Sequence, residues 1–190
     1  REWVWVVDPL DGTKEFARRI PEFAVSVGLV HGSAAVLGGI VNPVTGEGGI
    51  GRVDGRTEFW GFERTVDPAD ALERAAISVS RSEVEDGSIG PYMTIVPAAS
   101  AVGSVAYKLL RVAAGADDMT FSVQYKNEWD ICGGAALIAA AGKTYRRFDG
   151  EPIRFNQPDT RIRSGSVAGS SDLVKQFLAA VGASVHKGRA

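Results

Sequence analysis

Apolar and polar positions follow different patterns in the two parts of the chain. Up to about residue 61, short apolar or alternating runs separated by turn residues predict an antiparallel meander with one half-buried face. The predicted strands are residues 3–7, 23–30, 34–41, 49–52 and 57–61. The first run is nearly all apolar, so we interpret it as a buried strand and Trp3, Trp5 and Phe16 as core aromatics. A turn at 8–13 and a short helix at 14–18 are predicted to follow it.

The rest of the chain alternates strands with helices, a pattern typical of layered α/β folds. A linker with a helical turn is predicted at 68–74. Strands are predicted at 76–80, 118–123, 144–148, 152–155 and 166–168, and helices at 101–115, 129–141 and 171–181. We therefore divide the chain into an N-terminal α+β half, residues 1–75, and a C-terminal α/β half, residues 76–190.

Composition narrows the classes of function. The 190 residues are 45% hydrophobic and 23% charged, which excludes a disordered chain. A net charge of −2 gives no electrostatic footprint for a nucleic-acid polymer. The single cysteine, Cys132, excludes an internal disulfide framework, and two histidines argue against a His-based triad or a multi-His metal site. Any metal is therefore expected to be a hard cation bound by oxygen atoms.

Two expectations concern where the protein works and what the sequence includes. We expect neither a transmembrane segment nor a signal peptide, hence a cytoplasmic protein with no membrane partner. The chain opens directly on an apolar predicted strand, without Met or a polar lead-in, whereas natural N-termini are usually frayed. We therefore expect a fragment whose upstream part is missing.

The most informative motif is residues 7–13, VDPLDGT. Asp-Gly pairs are common in turns, and we interpret the three further pairs, at 54–55, 86–87 and 149–150, as turns only. The first copy differs because Asp8 stands at a strand end, where open sheets place ligand sites, and Pro9 stiffens the link to Asp11. Gly12 and Thr13 open a helix whose free N–H groups can receive a phosphate. Two acids beside an anion site require a cation between them, so a divalent metal is the hypothesis and a structural turn the alternative.

A second acidic position, Asp130, stands at the start of an apolar helix. An Asp there is often only a helix cap or a partner of the helix dipole. Together with Asp8 and Asp11 it would complete a set of three carboxylates.

Residues 5–13, WVVDPLDGT, followed downstream by Trp129-Asp130 and a Gly/Ala-rich helix, resemble the inositol monophosphatase family. The resemblance covers nearly the whole chain. It implies a layered αβαβα phosphatase fold, here without its N-terminal helices, and Mg²⁺-dependent hydrolysis of a phosphate monoester. The family's metal-binding Glu, in a Gly-Glu-Glu segment upstream of the first Asp motif, has no counterpart here, since Glu2 is not in such a segment.

The resemblance also implies roles for individual residues. Asp8 resembles a carboxylate that bridges two metal ions, Leu10 offers its backbone carbonyl to one of them, and Asp11 and Asp130 hold the other. Gly12 and Thr13 would present N–H groups to the phosphate. Thr13 and Asp11 are the catalytic candidates, with the Thr13 hydroxyl orienting the attacking water. Two or three Mg²⁺ ions are expected in the complete protein.

The substrate interpretation depends on shorter matches. Residues 80–82 (SRS), residues 103–108 (GSVAYK) and Glu128 resemble the 3′(2′),5′-bisphosphate nucleotidase (CysQ-like) branch. We therefore predict that Arg81, Ser104 and Lys108 bind substrate, because a cation beside the site can pair with a second phosphate. Solvated surface charges are the alternative for Arg81 and Lys108. An inositol phosphate or other sugar phosphate remains open as the substrate, as does a non-catalytic fold that binds only metal or phosphate.

The remaining candidates have weaker signals. Arg161 and Arg163 are placed in a solvated loop, with contact to an anionic substrate as the alternative. Cys132 is expected to pack as a small buried hydrophobe. Gly133 and Gly134 are expected to weaken their helix by ~1 kcal/mol each relative to Ala. The expected partner is a small phosphorylated metabolite, with a homodimer as an open possibility.

Overall fold

The structure, a computed structural model, describes residues 2–63, 68–96 and 98–187. Its strands are β1 (Trp3–Asp11), β2 (Ala24–His31), β3 (Ala34–Val41), β4 (Gly48–Arg52), β5 (Thr57–Trp60), β6 (Ile77–Ser80), β7 (Ser100–Val102), β8 (Met119–Ser122), β9 (Lys126–Asn127), β10 (Thr144–Arg147), β11 (Arg161–Ile162) and β12 (Ser166–Gly169). Its α-helices are α1 (Thr13–Ala17), α2 (Arg81–Glu85), α3 (Val105–Ala114), α4 (Glu128–Ala140) and α5 (Ser171–Lys187). Short 3₁₀ turns lie at Leu72–Arg74 and Gly90–Tyr92.

Two five-stranded sheets form the frame of the molecule. The first is an antiparallel meander in the order β1-β2-β3-β4-β5, which confirms the pattern predicted for the first part of the chain. The second has the order β10-β12-β8-β6-β7 and is mixed, because β6 runs parallel to both β7 and β8. Strands β9 and β11 pair in a separate two-stranded sheet.

Two hydrophobic cores make this a layered α/β fold. Helices α3 and α4 fill the space between the sheets, with Leu109, Leu137 and Ile138 buried against Val30 and Ile40 of the first sheet. Helix α5 covers the other side of the second sheet. Its apolar residues join a separate core made of Leu72, Ala75, Ile77, Val79, Ile89, Val96, Met119, Phe121, Val167, Leu173, Val174, Phe177 and Val181. The predicted layered fold class is therefore confirmed, and the boundary between the halves stays a prediction.

Helix α4 lies unusually close to the first sheet. A Cβ added at Gly38 of β3 would come within 2.1 Å of the Gly133 carbonyl oxygen. A Cβ added at Gly133 would in turn meet the Ser26 hydroxyl at 2.6 Å. Helix and sheet are glycine-lined at this contact, so the expectation that Gly133 merely weakens its helix is incomplete. Cys132 is fully buried here, as expected, and burial raises the pKa of its thiol to about 12.

The prediction that β1 is a buried strand is wrong. Its side chains alternate between faces: Val4 and Val6 pack on the α4 side, while Trp3 and Trp5 are 55% and 62% exposed. Phe16, also predicted to lie in the core, is more than half exposed. The side of the first sheet facing away from α4 carries exposed apolar residues on three strands, β1, β4 and β5: Trp3, Trp5, Val7, Ile50 and Trp60.

Three predicted elements have different limits. Strand β1 continues through the predicted turn to Asp11, with an irregularity in register between Asp8 and Asp11. The helix predicted at 101–115 is a strand, β7, followed by α3, because Gly103 and Ser104 interrupt it and Ser104 has a positive φ of 53°. The strand predicted at 152–155 is reduced to one bridge between Arg146 and Pro152.

Candidate functional site

A cleft of about 330 Å³ opens where β1 ends and helices α1 and α3 begin, and Asp130 of the first turn of α4 also lines it. The residues that line it are Asp11, Gly12, Thr13, Lys14, Glu15, Ser80, Ser82, Gly103, Ser104, Val105, Lys108, Gln124, Tyr125, Lys126 and Asp130. Several predicted site residues are thus brought together from distant parts of the sequence. Asp8, Leu10 and Arg81 do not line the cleft.

The carboxylate of Asp8 is nearly buried at the irregular end of β1. Its Oδ1 accepts a hydrogen bond of 3.0 Å from the Leu10 backbone amide. Burial raises the pKa of Asp8 above its usual 3.8, the Leu10 amide opposes that change, and the charges of Asp11 and Asp130 raise the pKa further. Asp8 is therefore close enough to both other carboxylates for their charges to act on it.

Asp11 and Asp130 are each held through one oxygen. Oδ2 of Asp11 accepts from the Ser104 hydroxyl and, at 2.7 Å, from the Ala106 amide, so it satisfies free donors at the start of α3. Oδ2 of Asp130 accepts from the Asn127 backbone amide at 2.7 Å and caps α4. Burial raises the pKa of Asp130, and the charge of Asp11 adds to that increase.

These contacts leave one oxygen of each acid without a hydrogen-bond donor among the described residues: Oδ2 of Asp8, Oδ1 of Asp11 and Oδ1 of Asp130. Carboxylate oxygens that repel one another suit a hard divalent cation, which relieves the repulsion. Within residues 2–63, 68–96 and 98–187, however, no three His, Cys, Asp or Glu side chains gather closely enough to hold one ion. The donor chemistry fits Mg²⁺, while the carboxylates are not assembled around a single point.

Gly12 connects β1 to α1 in a backbone conformation that favours glycine, with φ +90°. A Cβ there would also lie 2.9 Å from the Glu22 carbonyl oxygen. Thr13, the first residue of α1, is exposed and lines the cleft beside Gly12. The motif therefore places both predicted phosphate-binding residues at the cleft surface.

The predicted role of Lys108 in binding a second phosphate does not match its placement. Its side chain is only 2% exposed, and its ammonium donates to the backbone carbonyls of Ser104 at 2.9 Å and Val102 at 3.1 Å. Burial lowers the pKa of Lys108 to about 8. Neither a solvated charge nor a free phosphate ligand describes this lysine, which instead stabilises the start of α3.

The other two predicted substrate residues also have structural partners. Arg81 donates to both carboxylate oxygens of Glu22, at 2.9 and 2.7 Å, and to the Ala101 carbonyl, which ties α2 to the chain before β2. Ser104 is the N-cap of α3: its hydroxyl accepts from the Tyr107 amide while donating to Asp11. Ser104 borders the cleft, but its hydroxyl is committed to the protein.

Sequence reasoning missed one wall of the cleft, made by Gln124, Tyr125 and Lys126. These residues directly follow the buried strand β8, and polar residues after a strand end were the available signal. Buried Glu83 of α2 fixes this wall. Its carboxylate accepts from the amides of Val123 and Gln124 at 3.0 and 3.2 Å and pairs with Lys126 at 3.3 Å.

Removing the buried ammonium of Lys108 should change how stability depends on pH. The folded pKa, about 8, lies below the ordinary 10.5, so the unfolded chain binds more protons between these values and stability rises with pH there. We expect the free energy of unfolding of the parent to increase, relative to Lys108→Met, from pH 8 to 10.5. Urea unfolding of both proteins across this range measures the difference.

If the free energy of unfolding depended on pH in the same way in both proteins, Lys108 would not be a buried ammonium with a lowered pKa. The charged neighbours that act on Lys108 are Asp11, Lys126, Glu83 and Glu15. Both proteins retain these four residues. The titrations of the four residues therefore contribute to both profiles and largely cancel in the difference.

The fold and the cleft define a layered α/β protein with a cleft at the end of its first strand that Asp11 and Asp130 line. The model of the inositol monophosphatase family matches residues 1–186, so the chain belongs to the inositol monophosphatase family, a family of phosphomonoesterases. Within the described residues, no helix is long and apolar enough to cross a membrane.

Individual relatives support the same family. The chain is 30% identical over 163 residues to an inositol-1-monophosphatase of Bacillus subtilis, covering 80% of this chain and 59% of that protein. It is 29% identical over 165 residues to the 3′(2′),5′-bisphosphate nucleotidase CysQ of Escherichia coli, covering 85% of this chain and 65% of that protein. The chain thus spans about three fifths of the length of these curated relatives.

A solved structure of inositol monophosphatase from Anabaena has the same fold. It superposes with a TM-score of 0.80 at 23% identity, covering 95% of this chain and 75% of that one. The fold class predicted from the sequence is confirmed by this likeness.

Proposed function

We propose that the protein is a Mg²⁺-dependent phosphomonoesterase that hydrolyses a small phosphorylated metabolite, a 3′(2′),5′-bisphosphate nucleotide. The observation that carries this proposal is the set of three acids, Asp8, Asp11 and Asp130, each with one oxygen that accepts from no donor in the described part of the chain. Two of them line a cleft together with Gly12 and Thr13. Membership of a phosphomonoesterase family supports the reaction class.

Separate residues bind the metal ion, bind the phosphate and orient the water. Asp8, the Leu10 carbonyl, Asp11 and Asp130 would hold Mg²⁺. When bound, Mg²⁺ polarises phosphoryl oxygens and lowers the pKa of a coordinated water. The backbone amides of Gly12 and Thr13 bind the scissile phosphate, and the Thr13 hydroxyl orients the attacking water. Thr13 and Asp11 line the same cleft. Water attacks phosphorus directly, the ester P–O bond breaks, and the alcohol leaves with the proton that the water gives up, so no covalent enzyme intermediate is required.

Two alternatives each have an observation in their favour. An inositol phosphate as substrate is favoured by the 30% identity to the Bacillus subtilis inositol-1-monophosphatase. A non-catalytic fold that binds only metal or phosphate is favoured because the described acidic side chains do not gather around one ion. The nucleotide is supported by the 29% identity to CysQ over 85% of the chain and by the resemblance of residues 80–82 and 103–108 to that branch.

Phosphate release tests these alternatives directly. We expect the full-length gene product containing this chain to release phosphate from adenosine 3′,5′-bisphosphate in the presence of Mg²⁺, and to do so faster than from inositol 1-phosphate. EDTA should abolish release and added Mg²⁺ should restore it. A preference for inositol 1-phosphate would support the first alternative, and no release from either compound would refute the phosphatase proposal.

A further inference from the structure

A second cavity, of about 480 Å³, adjoins the cleft and is unused by the proposed reaction. The two spaces share Gln124 and Tyr125 as lining residues, so they are neighbours on either side of this wall. The remaining lining residues are Val123, Arg161, Arg163, Ser164 and Gly165. The lining includes two cations and, among the described residues, no carboxylate.

The two arginines keep a net positive charge. Asp159 accepts from Nε of Arg161 and from Nε of Arg163, both at 2.9 Å. One carboxylate therefore neutralises one of two guanidinium groups. Their side chains are 51% and 63% exposed, so N–H donors of this pair remain accessible to an anion from solvent.

The position of these arginines is fixed by contacts to Asn127 and Glu128, the two residues that precede the Trp129-Asp130 motif. Strand β11 pairs with β9, with Arg161 opposite Asn127, just before α4. Buried Glu128 accepts from the backbone amides of Asn156 and Gln157 at 2.8 and 2.9 Å. The Glu128 amide donates in turn to the Thr160 carbonyl at 2.8 Å. The segment carrying both arginines is thereby anchored two residues from a proposed metal ligand.

The opposite wall is fixed as well. Glu83 holds the amides of Val123 and Gln124, and the Gln124 side chain donates to Asp86 at 2.7 Å. Both walls of the second cavity are thus positioned by buried or hydrogen-bonded groups. A ligand reaching from the cleft past Tyr125 enters a space whose charge is positive.

We propose that Arg161 and Arg163 bind a second phosphate on the alcohol portion of the substrate, so that the preferred substrate is a phosphate monoester carrying another phosphate. This inference rests on the proposed phosphatase function and deepens it. The second phosphate is thereby assigned to two exposed arginines beside the cleft. Lys108 and Arg81, to which the sequence analysis assigned it, are engaged in contacts within the protein. A nucleoside bisphosphate and an inositol bisphosphate share this chemistry, and the test distinguishes them.

The test compares substrates that differ only in the second phosphate. The pairs are adenosine 3′,5′-bisphosphate with adenosine 3′-monophosphate, and inositol 1,4-bisphosphate with inositol 1-phosphate. In the double variant Arg161→Gln/Arg163→Gln we expect KM for the preferred bisphosphate to rise about tenfold or more, because charge-assisted hydrogen bonds are lost. We expect kcat to stay within about twofold and KM for the monophosphate to change little, since neither arginine touches the scissile phosphate.

Arg74→Gln provides a matched control. Arg74 is also an exposed arginine paired with an aspartate four residues away, as Arg163 is, and it lies outside both cavities. It should leave every KM unchanged. Equal KM changes for bisphosphate and monophosphate in the double variant, or no change in either, would overturn the assignment of the second phosphate.

Calorimetric binding of adenosine 3′,5′-bisphosphate and inositol 1,4-bisphosphate without added metal separates this inference from the proposed function. If the parent hydrolyses no phosphomonoester, the phosphatase proposal fails. The subsite is then judged by binding alone: an affinity about tenfold lower in the double variant supports it, and an unchanged or undetectable affinity overturns it.

Discussion

Replacing Asp130 with Asn is expected to lower Mg²⁺-dependent phosphate release about a hundredfold or more while leaving the fold intact. The Asp130 Oδ2 accepts from the Asn127 amide, and the side-chain carbonyl of an Asn can accept the same bond, so the start of α4 is kept. The negative charge is lost, and with it a ligand that a hard cation prefers. Since the loss of groups supporting a metal site typically costs 10–100-fold, the loss of a ligand should cost at least about as much.

Asp172→Asn is the matched control for this prediction. Asp172 also stands in the first turn of a helix, α5, but it is exposed and lies outside both cavities. It should retain the activity of the parent. Steady-state rates at saturating Mg²⁺, with Tm measured for each protein, separate the effects. Activity of Asp130→Asn within about tenfold of the parent would exclude Asp130 as a ligand.

Strands that pair with their neighbours in sequence could be predicted from the sequence, because their pattern and turns are local. The hairpin of β2 and β3 is at the predicted positions for this reason. The buried faces could not be predicted where both faces are apolar. In β1, Trp5 and Val6 are both apolar, and only the position of α4 makes one exposed and the other partly buried.

The candidate site also contains some features that local sequence predicts and others that depend on distant parts of the chain. Asp11, Gly12 and Thr13 belong to one contiguous motif, so the sequence alone predicts that they lie together, and all three line the cleft. The second cavity depends on the pairing of β9 with β11, which brings together residues 34 and 36 positions apart in the sequence, and no local pattern predicts it. Lys108 illustrates a further limit, because sequence gives its charge but not the carbonyls that surround it.

The contact between α4 and the first sheet leads to a second large effect, on stability. Gly38→Ala is expected to lower the free energy of unfolding by about 3 kcal/mol, at the upper end of typical overpacking costs. The added Cβ would lie 2.1 Å from the Gly133 carbonyl oxygen and 3.1 Å from the Ala136 Cβ, so the helix or the sheet must move. For a protein of this size the corresponding fall in Tm is about 6–12 °C, measurable by thermal unfolding.

The adjacent residue supplies the control, because side chains alternate between the faces of a strand. A Cβ added at Gly39 meets nothing within 4 Å, and its backbone has no positive φ. Gly39→Ala should therefore leave stability within about 1 kcal/mol of the parent, on the stabilising side, since Ala restricts the unfolded chain. Equal losses in both variants would indicate a general intolerance of β3 to alanine. A large loss confined to Gly38→Ala identifies the approach of α4 as the cause.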